Sequence, residues 1–385
     1  MTIARRRRNS RLNDHRTAPP QVHAEWIDTR PELDAWLSQV DGPLAVDTEF
    51  MRRNTYYAQL ALVQLSHRER HALVDPLAVE VGQALSQLDA ERAPLWIMHS
   101  PGEDLDVLSP WLENGPRQLF DTQLAAAFCG LGAGISYRAL VEHVAGVVLD
   151  KGETRSDWMQ RPLTASQRLY ATLDVTYLHP IHAHLYAELE RRGRSDWFSF
   201  DCTRLKQRAT DRRGDDQPQL NLRGAASWPI ERQAMLRRVL QWRERTARTL
   251  DSPRPWLLQD AQAMALVDDP PENVNQLAAQ TRGQRTLRGP QRRELLDLLQ
   301  EPIHNEEIVA TTPVPPSLDR TERPILAAMK QEIDAQANSL DLPAGLLAPR
   351  KALETYIVTR TWPETLEGWR RDLLEPHLAP HLPET

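Results

Sequence analysis

Apolar positions follow two different rhythms along this chain. From residue 22 to about 202, short strand-like apolar runs alternate with helix-length amphipathic segments, the pattern of an α/β domain. Leu44-Ala45-Val46 and residues 58–65 read as neighbouring strands, residues 71–74 as a third and Leu95-Trp96-Ile97-Met98 as a later buried one. Residues 103–112, 122–128, 137–144 and 164–191 carry apolar side chains at three- and four-residue spacing and predict helices. Thr164 followed by Gln167 is the capping-box signature of the last of these.

Beyond residue 205 the strand rhythm is gone. Residues 211–219 are polar, contain Gly214 and Pro218, and read as a linker. The helix after it places Met235, Val239 and Trp242 on one face, with Leu236 and Leu240 widening the stripe. Thr311-Thr312-Pro313-Val314-Pro315-Pro316 reads as a second linker, stiffened by its prolines. These breaks predict a disordered basic arm 1–20, an α/β domain 21–205, a linker 206–224, a helical domain 225–305, a linker 306–318 and a smaller helical domain 319–385.

Composition narrows the class. A chain of 385 residues is too long for one ordinary core, and 41% hydrophobic with 26% charged residues excludes a collagen-like or wholly disordered protein. Two cysteines, Cys129 and Cys202, make neither a disulfide framework nor a thiolate zinc site, which favours a reducing, cytoplasmic setting. The most apolar stretch, 124–135, is short and broken by three glycines, whereas a membrane helix needs about 20 apolar residues; no bilayer span is expected. Residues 9–14 are polar where a secretory leader would be hydrophobic, so export by that route is not expected. The net charge of -6 conceals a basic segment: residues 201–250 hold twelve basic against six acidic side chains. Such a segment either follows a phosphate backbone or is a solvated face.

Candidate chemistry lies in the first domain. In Leu44-Ala45-Val46-Asp47-Thr48-Glu49-Phe50 a buried strand runs into two carboxylates at i and i+2, which strand alternation points to one face. Adjacent like charges there are costly unless a cation sits between them; the alternative is a charged loop after a strand. Asp104 opens a helix just after another buried strand, as a cap or as something more. Tyr170 and Asp174 are i and i+4 on one helix face. Converging, these acids would form an oxygen cage for two divalent ions of the Mg²⁺ type.

The same residues carry a family resemblance. Asp47-Thr48-Glu49-Phe50, Thr55-Tyr56-Tyr57 and Val63-Gln64-Leu65 resemble the first exonuclease motif of ribonuclease D. His99 with Glu103-Asp104-Leu105, Phe120-Asp121-Thr122-Gln123, Leu149-Asp150-Lys151, Ser156-Asp157-Trp158 and Tyr170-Ala171-Thr172-Leu173-Asp174 resemble its later motifs, in order, over residues 22–205. Ser100-Pro101-Gly102 departs from the Ala-Gly-Ser-like turn of that family and leaves the start of the Asp104 helix open. Leu240-Gln241-Trp242-Arg243, Ala247 and Pro253 resemble the HRDC module, a helical nucleic-acid-binding unit, and Pro343, Arg350 and Leu366-Glu367-Gly368-Trp369 a diverged second copy.

The resemblance implies an α/β ribonuclease H-like exonuclease domain with a mixed sheet, followed by two small all-α HRDC-like domains. It implies a DEDDy-class 3′-5′ exoribonuclease that releases nucleoside 5′-monophosphates. Asp47, Glu49, Asp104 and Asp174 would hold two divalent ions, Mg²⁺ or Mn²⁺, and Tyr170 would position the attacking water. The partner would be RNA with a free 3′ end, tRNA precursors being the family expectation, with no membrane and no obligate protein partner. Arg52, Arg53, Tyr57, Arg237, Arg243 and Arg245 are the candidate nucleic-acid contacts. A non-catalytic RNA-binding protein and a nuclease that prefers DNA are the rival readings; retention of all four acids and the tyrosine weighs against the first. Gly130-Leu131-Gly132-Ala133-Gly134-Ile135 follows a helix pattern and reads as a loop, not a dinucleotide fingerprint. His179, His182 and His184 spread around a helix and are set aside as metal ligands.

Overall fold

The computed structural model describes residues 22–150, 152–153, 156–211 and 214–383. The basic arm, Lys151, Arg212 and Arg213 lie outside them. Six strands form one mixed sheet in the order β1-β4-β3-β2-β5-β6. They are β1 (Glu25–Ile27), β2 (Leu44–Met51), β3 (Gln59–His67), β4 (Arg70–Val74), β5 (Leu95–Met98) and β6 (Gln118–Asp121). β2, β3 and β4 form an antiparallel meander; β1 joins β4, β5 joins β2 and β6 joins β5 in parallel.

Alternation along β2 assigns its two faces. Leu44 and Val46 pack with Leu33 and Trp36 of α1 (Arg30–Leu37), Leu85 and Leu88 of α2 (Val81–Arg92) and Leu105 of α3 (Gly102–Leu108). Ala45, on the other face, packs with Ile97, Val175 and Leu178. The latter two belong to α6 (Ala165–Thr176) and α7 (Leu178–Arg192). The capping box at Thr164 and Gln167 is present, but the single helix expected over 164–191 is two, meeting at Tyr177. Pro180 explains the break: it lacks the N–H that would bond to Thr176, and its ring opposes that carbonyl.

The helices α4 (Thr122–Phe128), α5 (Tyr137–Ala145), α7 and α8 (Ser195–Thr210) do not close their own core. Phe128, Leu185, Leu189 and Phe198 share one hydrophobic cluster with Met329, Ile333, Leu353, Ile357 and Leu374. Those partners come from α15 (Glu322–Leu340), α17 (Arg350–Thr359) and α18 (Trp369–Leu378). Trp197 stacks on Trp369 with centroids 4.4 Å apart. Arg370 forms a two-pronged ion pair with Asp201, 2.7 Å at its first bond, with both side chains only 9% exposed.

The first helical unit has a separate core built on α9 (Ile230–Thr249). Leu236, Val239, Leu240 and Trp242 are buried in it and Met235 is partly buried, as the stripe predicts. The helices α10 (Arg254–Leu257), α11 (Asp260–Asp268), α12 (Val274–Gln280) and α13 (Gly289–Gln300) complete it. The expected linkers are more ordered than their composition suggests. α8 runs to Thr210, and α14 (Asn305–Ala310) is fastened to α9 by Arg238 and Glu307. Gln217 and Gln219 hydrogen-bond Thr312, tying the two linkers together at 2.9 Å. Arg223 reaches Glu354 at 2.9 Å, joining the two helical units.

Removing one member of the Asp201–Arg370 pair leaves a buried charge uncompensated, at a cost of about 3–5 kcal/mol. Asp201→Asn should therefore lower the urea midpoint of the whole chain, including signals from the nuclease domain. An unchanged midpoint would show that α8 and α18 are not energetically coupled.

Candidate active site

The carboxyl ends of β2 and β5 open onto one cleft, and the acids singled out by the sequence meet there. Asp47 and Glu49 leave β2 on the face covered by α6, which supplies Tyr170 and Asp174. A β-bulge sits between Glu49 and Phe50: Glu49 opposes Leu62 and Phe50 opposes Leu60, so Ala61 is the extra residue. The bulge bends the strand at the point where Glu49 must be aimed. Asp104 comes from the first turn of α3, where the helix N-terminus favours a negative group.

The start of α3, left open by its unusual sequence, is fixed by the backbone. Ser100 has a φ of 57° and its N–H donates to Asp121 Oδ1 at 2.9 Å, while Gly102 N–H donates to Ser100 O. Asp104 is buried and accepts from the Thr48 hydroxyl. Thr48 lies between the two β2 acids and aims the third, a role its place in the motif did not reveal.

Burial and mutual repulsion dominate the electrostatics. Burial, then the charges of Asp104, Asp174 and Glu49, drive the Asp47 carboxyl well above the usual range. Glu49 is pushed up to about 8 by burial and by Asp174 and Asp104. Burial raises Asp174 to about 8 against the opposing effect of the Tyr170 hydroxyl. Asp104 reaches only about 6, because Thr48 and backbone N–H groups offset its burial. The Tyr170 hydroxyl is pushed upward by burial and the nearby acids, so it remains a donor at neutral pH.

Such a set fits divalent cations: the donors are all carboxylates, and burial, the main cause of each raised value, is a cost that a neighbouring positive charge would offset. Among the described residues no three His, Cys, Asp or Glu side chains close into a ready-made chelate. Ions held by the four acids would take further ligands from water and phosphate.

Two neighbours had no distinct sequence signal. Gly152 packs directly on the Tyr170 ring; a Cβ there would stand 2.1 Å from Cδ2. Tyr137 donates its hydroxyl to Leu173 O at 2.9 Å and accepts from Tyr177 N–H, which fixes the junction between α6 and α7 beside Asp174. Tyr137, Arg138, Leu149, Leu169 and Leu173 line a groove of about 550 Å³ that ends at Tyr170 and Asp174.

The candidate nucleic-acid contacts divide. Arg52, Arg53 and Arg243 line one cavity of about 490 Å³ between the β2–β3 loop and the first helical unit, and Tyr57 lies on the adjoining cavity with Arg243. Arg52 pairs with Asp106, and Arg243 is committed to Leu258 O and to Asp260 at 2.6 Å, its side chain 13% exposed. Arg237 donates to Asp216 O at 2.6 Å and Arg245 is exposed; neither lines these cavities. The histidines set aside earlier serve packing: His179 bonds Ser66 O at 2.9 Å and His182 stands edge-on to Phe120.

Comparison with known proteins gives a consistent answer. A signature described as 3′-5′ exonuclease matches residues 24–190. Ribonuclease D of Xanthomonas oryzae pv. oryzae is 37% identical over 360 residues, covering 93% of this chain and 98% of its own. Ribonuclease D of Escherichia coli K12 is 30% identical over 340 residues, covering 86% and 90%. The crystal structure of Escherichia coli RNase D, described as an exoribonuclease involved in structured RNA processing, matches with a TM-score of 0.79. The identity in that match is 28%, over 94% of this chain and 98% of the other.

Carboxyls whose folded values lie above their unfolded ones stabilise the fold below the unfolded value, and that contribution is lost as pH rises through the folded value. For Glu49 and Asp174 the loss runs from the ordinary carboxyl range up to about pH 8 and is complete above it. Between pH 7 and 9, His71 and His99, lowered mainly by burial, are neutral in folded and unfolded chains alike. The stability of chelator-treated protein, and its thermal midpoint with it, should fall from pH 7 to about pH 8, by up to about 1.4 kcal/mol per pH unit for each proton released, and level off by pH 9. Asp47→Asn should flatten the fall; a flat wild-type profile would contradict the repulsion described.

Proposed function

The chain belongs to the ribonuclease D family of 3′-5′ exoribonucleases, and we propose that Asp47, Glu49, Asp104 and Asp174 are its metal ligands and Tyr170 its water-positioning residue. The observation carrying this reading is the convergence of four mutually repelling carboxylates with a protonated tyrosine in one cleft. Two divalent ions, Mg²⁺ or Mn²⁺, would supply a more acidic water and charge stabilisation at the leaving 3′ oxygen. Thr48 holds the Asp104 carboxylate in one orientation, and the Glu49 bulge turns its carboxylate toward α6. Tyr170, fixed from behind by the Gly152 backbone, presents its hydroxyl beside Asp174 to orient the attacking water. The groove lined by Tyr170 and Asp174 receives the terminal nucleoside, and Arg52, Arg53 and Tyr57, on the cavities beside the first helical unit, meet the strand beyond it.

We assign residues 21–205 to the nuclease domain and 225–305 and 319–385 to two HRDC-like domains; the separate core around α9 supports the first helical limit. The substrate we propose is structured RNA with a short 3′ tail, tRNA precursors among them, because the first helical unit stands beside the β2–β3 loop and lines two cavities with it. Among the described residues no helix is long and apolar enough to cross a membrane, and we propose a cytoplasmic enzyme without an obligate protein partner.

Matched 3′-tailed RNA and DNA, incubated with Mg²⁺, Mn²⁺ or chelator, should give nucleoside 5′-monophosphates from RNA in the presence of metal alone. Asp47→Asn and Asp174→Asn should abolish release; near-wild-type turnover in either would sink the ligand assignment. Tyr170→Phe should lower kcat about 10²-fold, since it removes a hydrogen bond that matters in the transition state, with Mn²⁺ affinity by calorimetry unchanged. Mn²⁺ binding that weakened in step with kcat would make Tyr170 part of the metal site instead.

A further inference from the structure

The loop that follows Glu49 is held from outside the nuclease domain. Tyr56, near its tip, donates its hydroxyl to Glu244 on α9. The same oxygen accepts from Arg248 Nε and Arg254 Nη2, each at 2.9 Å. The two guanidinium carbons lie 5.6 and 4.7 Å from the Tyr56 ring centroid, within cation–π range. One carboxylate oxygen of Asp251, Oδ1, accepts from the backbone N–H of both Tyr56 and Tyr57, each at 3.0 Å. Asp251 has a φ of 44° just beyond α9. From the other side, Arg52 pairs with Asp106, two residues along α3 from Asp104.

The hydroxyl and the backbone N–H of Tyr56 are therefore both engaged by the first helical unit. The side chain of its neighbour stays open: Tyr57 is 46% exposed and stands edge-on to Tyr56, with centroids 4.8 Å apart. Fixing Tyr56 orients Tyr57, and fixing both amides limits the positions open to Arg52 and Arg53. A short loop tied at its tip loses conformational freedom before RNA arrives, which reduces the ordering cost of binding.

We propose that the Tyr56–Glu244–Asp251 knot makes the first helical unit a positioning element for the RNA-facing loop, lowering KM through Arg52, Arg53 and Tyr57. The inference rests on the reading that these three side chains meet RNA. It assigns Tyr56 to positioning and leaves base contact to Tyr57.

Three substitutions in the full-length chain test it. Tyr56→Phe keeps the ring and removes the hydroxyl; Asp251→Gly removes the acceptor at a φ that glycine adopts without strain. Asp251→Asn keeps a carbonyl acceptor and tolerates the left-handed backbone, so it should rescue. In Tyr56→Phe and Asp251→Gly, amide exchange over residues 52–58 should quicken by about tenfold or more. KM for tailed RNA should rise about 5- to 10-fold with kcat within about twofold, and Asp251→Asn should restore both readouts. Faster exchange with an unchanged KM would reduce the knot to a brace, and an equal fall in kcat and kcat/KM would move its action to the acids; either overturns the proposal. An Arg52→Ala/Arg53→Ala variant with wild-type KM would instead remove the reading that the loop meets RNA, and this inference with it.

Discussion

Mutual repulsion among Asp47, Glu49, Asp104 and Asp174 is the constraint around which the nuclease domain is arranged. Four carboxylates in a half-buried cleft favour separation or protonation, and either would destroy the site. The fold resists separation by drawing them from three different anchors: a central strand, the first turn of one helix and the last turn of another. Each anchor is buried against its own apolar surface, with Leu44 and Val46 under β2, Leu105 on α3 and Val175 on α6. The hydrophobic energy of these contacts offsets an electrostatic cost that a divalent ion removes.

That arrangement also explains what the sequence disclosed. The β2 acids were legible because a buried strand ending in Asp-x-Glu has few bland explanations once Tyr170 and Asp174 are found at helical spacing. Asp104 was legible mainly through its place among the motifs, since an acid at a helix start is ordinary by itself. Thr48 and Gly152 were hidden. A threonine in a strand signals only β propensity, and a glycine in a loop signals only a turn, until the Asp104 carboxylate and the Tyr170 ring are seen beside them.

The basic side chains show a different limit. Arg237, Arg238 and Arg243 contributed to a local excess of positive charge that suggested a polyanion surface. In the fold their guanidinium groups are engaged by Asp216 O, Glu307 and Asp260. Partners 17 to 69 residues away could not be read from a local count. Tyr56 is the extreme case, since its hydroxyl partner Glu244 is 188 residues downstream. The boundary between nuclease and second helical unit was obscured for the same reason: amphipathic periodicity shows that α7 and α8 have an apolar face, not which helices cover it.

The shared core of α4, α7 and α8 with α15, α17 and α18 bears on the order of events at the ribosome. Residues 25–121 contain the six strands of the described residues, so the whole sheet is made early in synthesis. Leu185, Leu189 and Phe198 must wait for Leu374 and Leu378, some 180 residues later in synthesis, before their hydrophobic surface is covered. Contacts of such separation form slowly. A chain built this way carries the apolar faces of α7 and α8 uncovered until α18 has been made, so those two helices gain their full packing only near the end of synthesis.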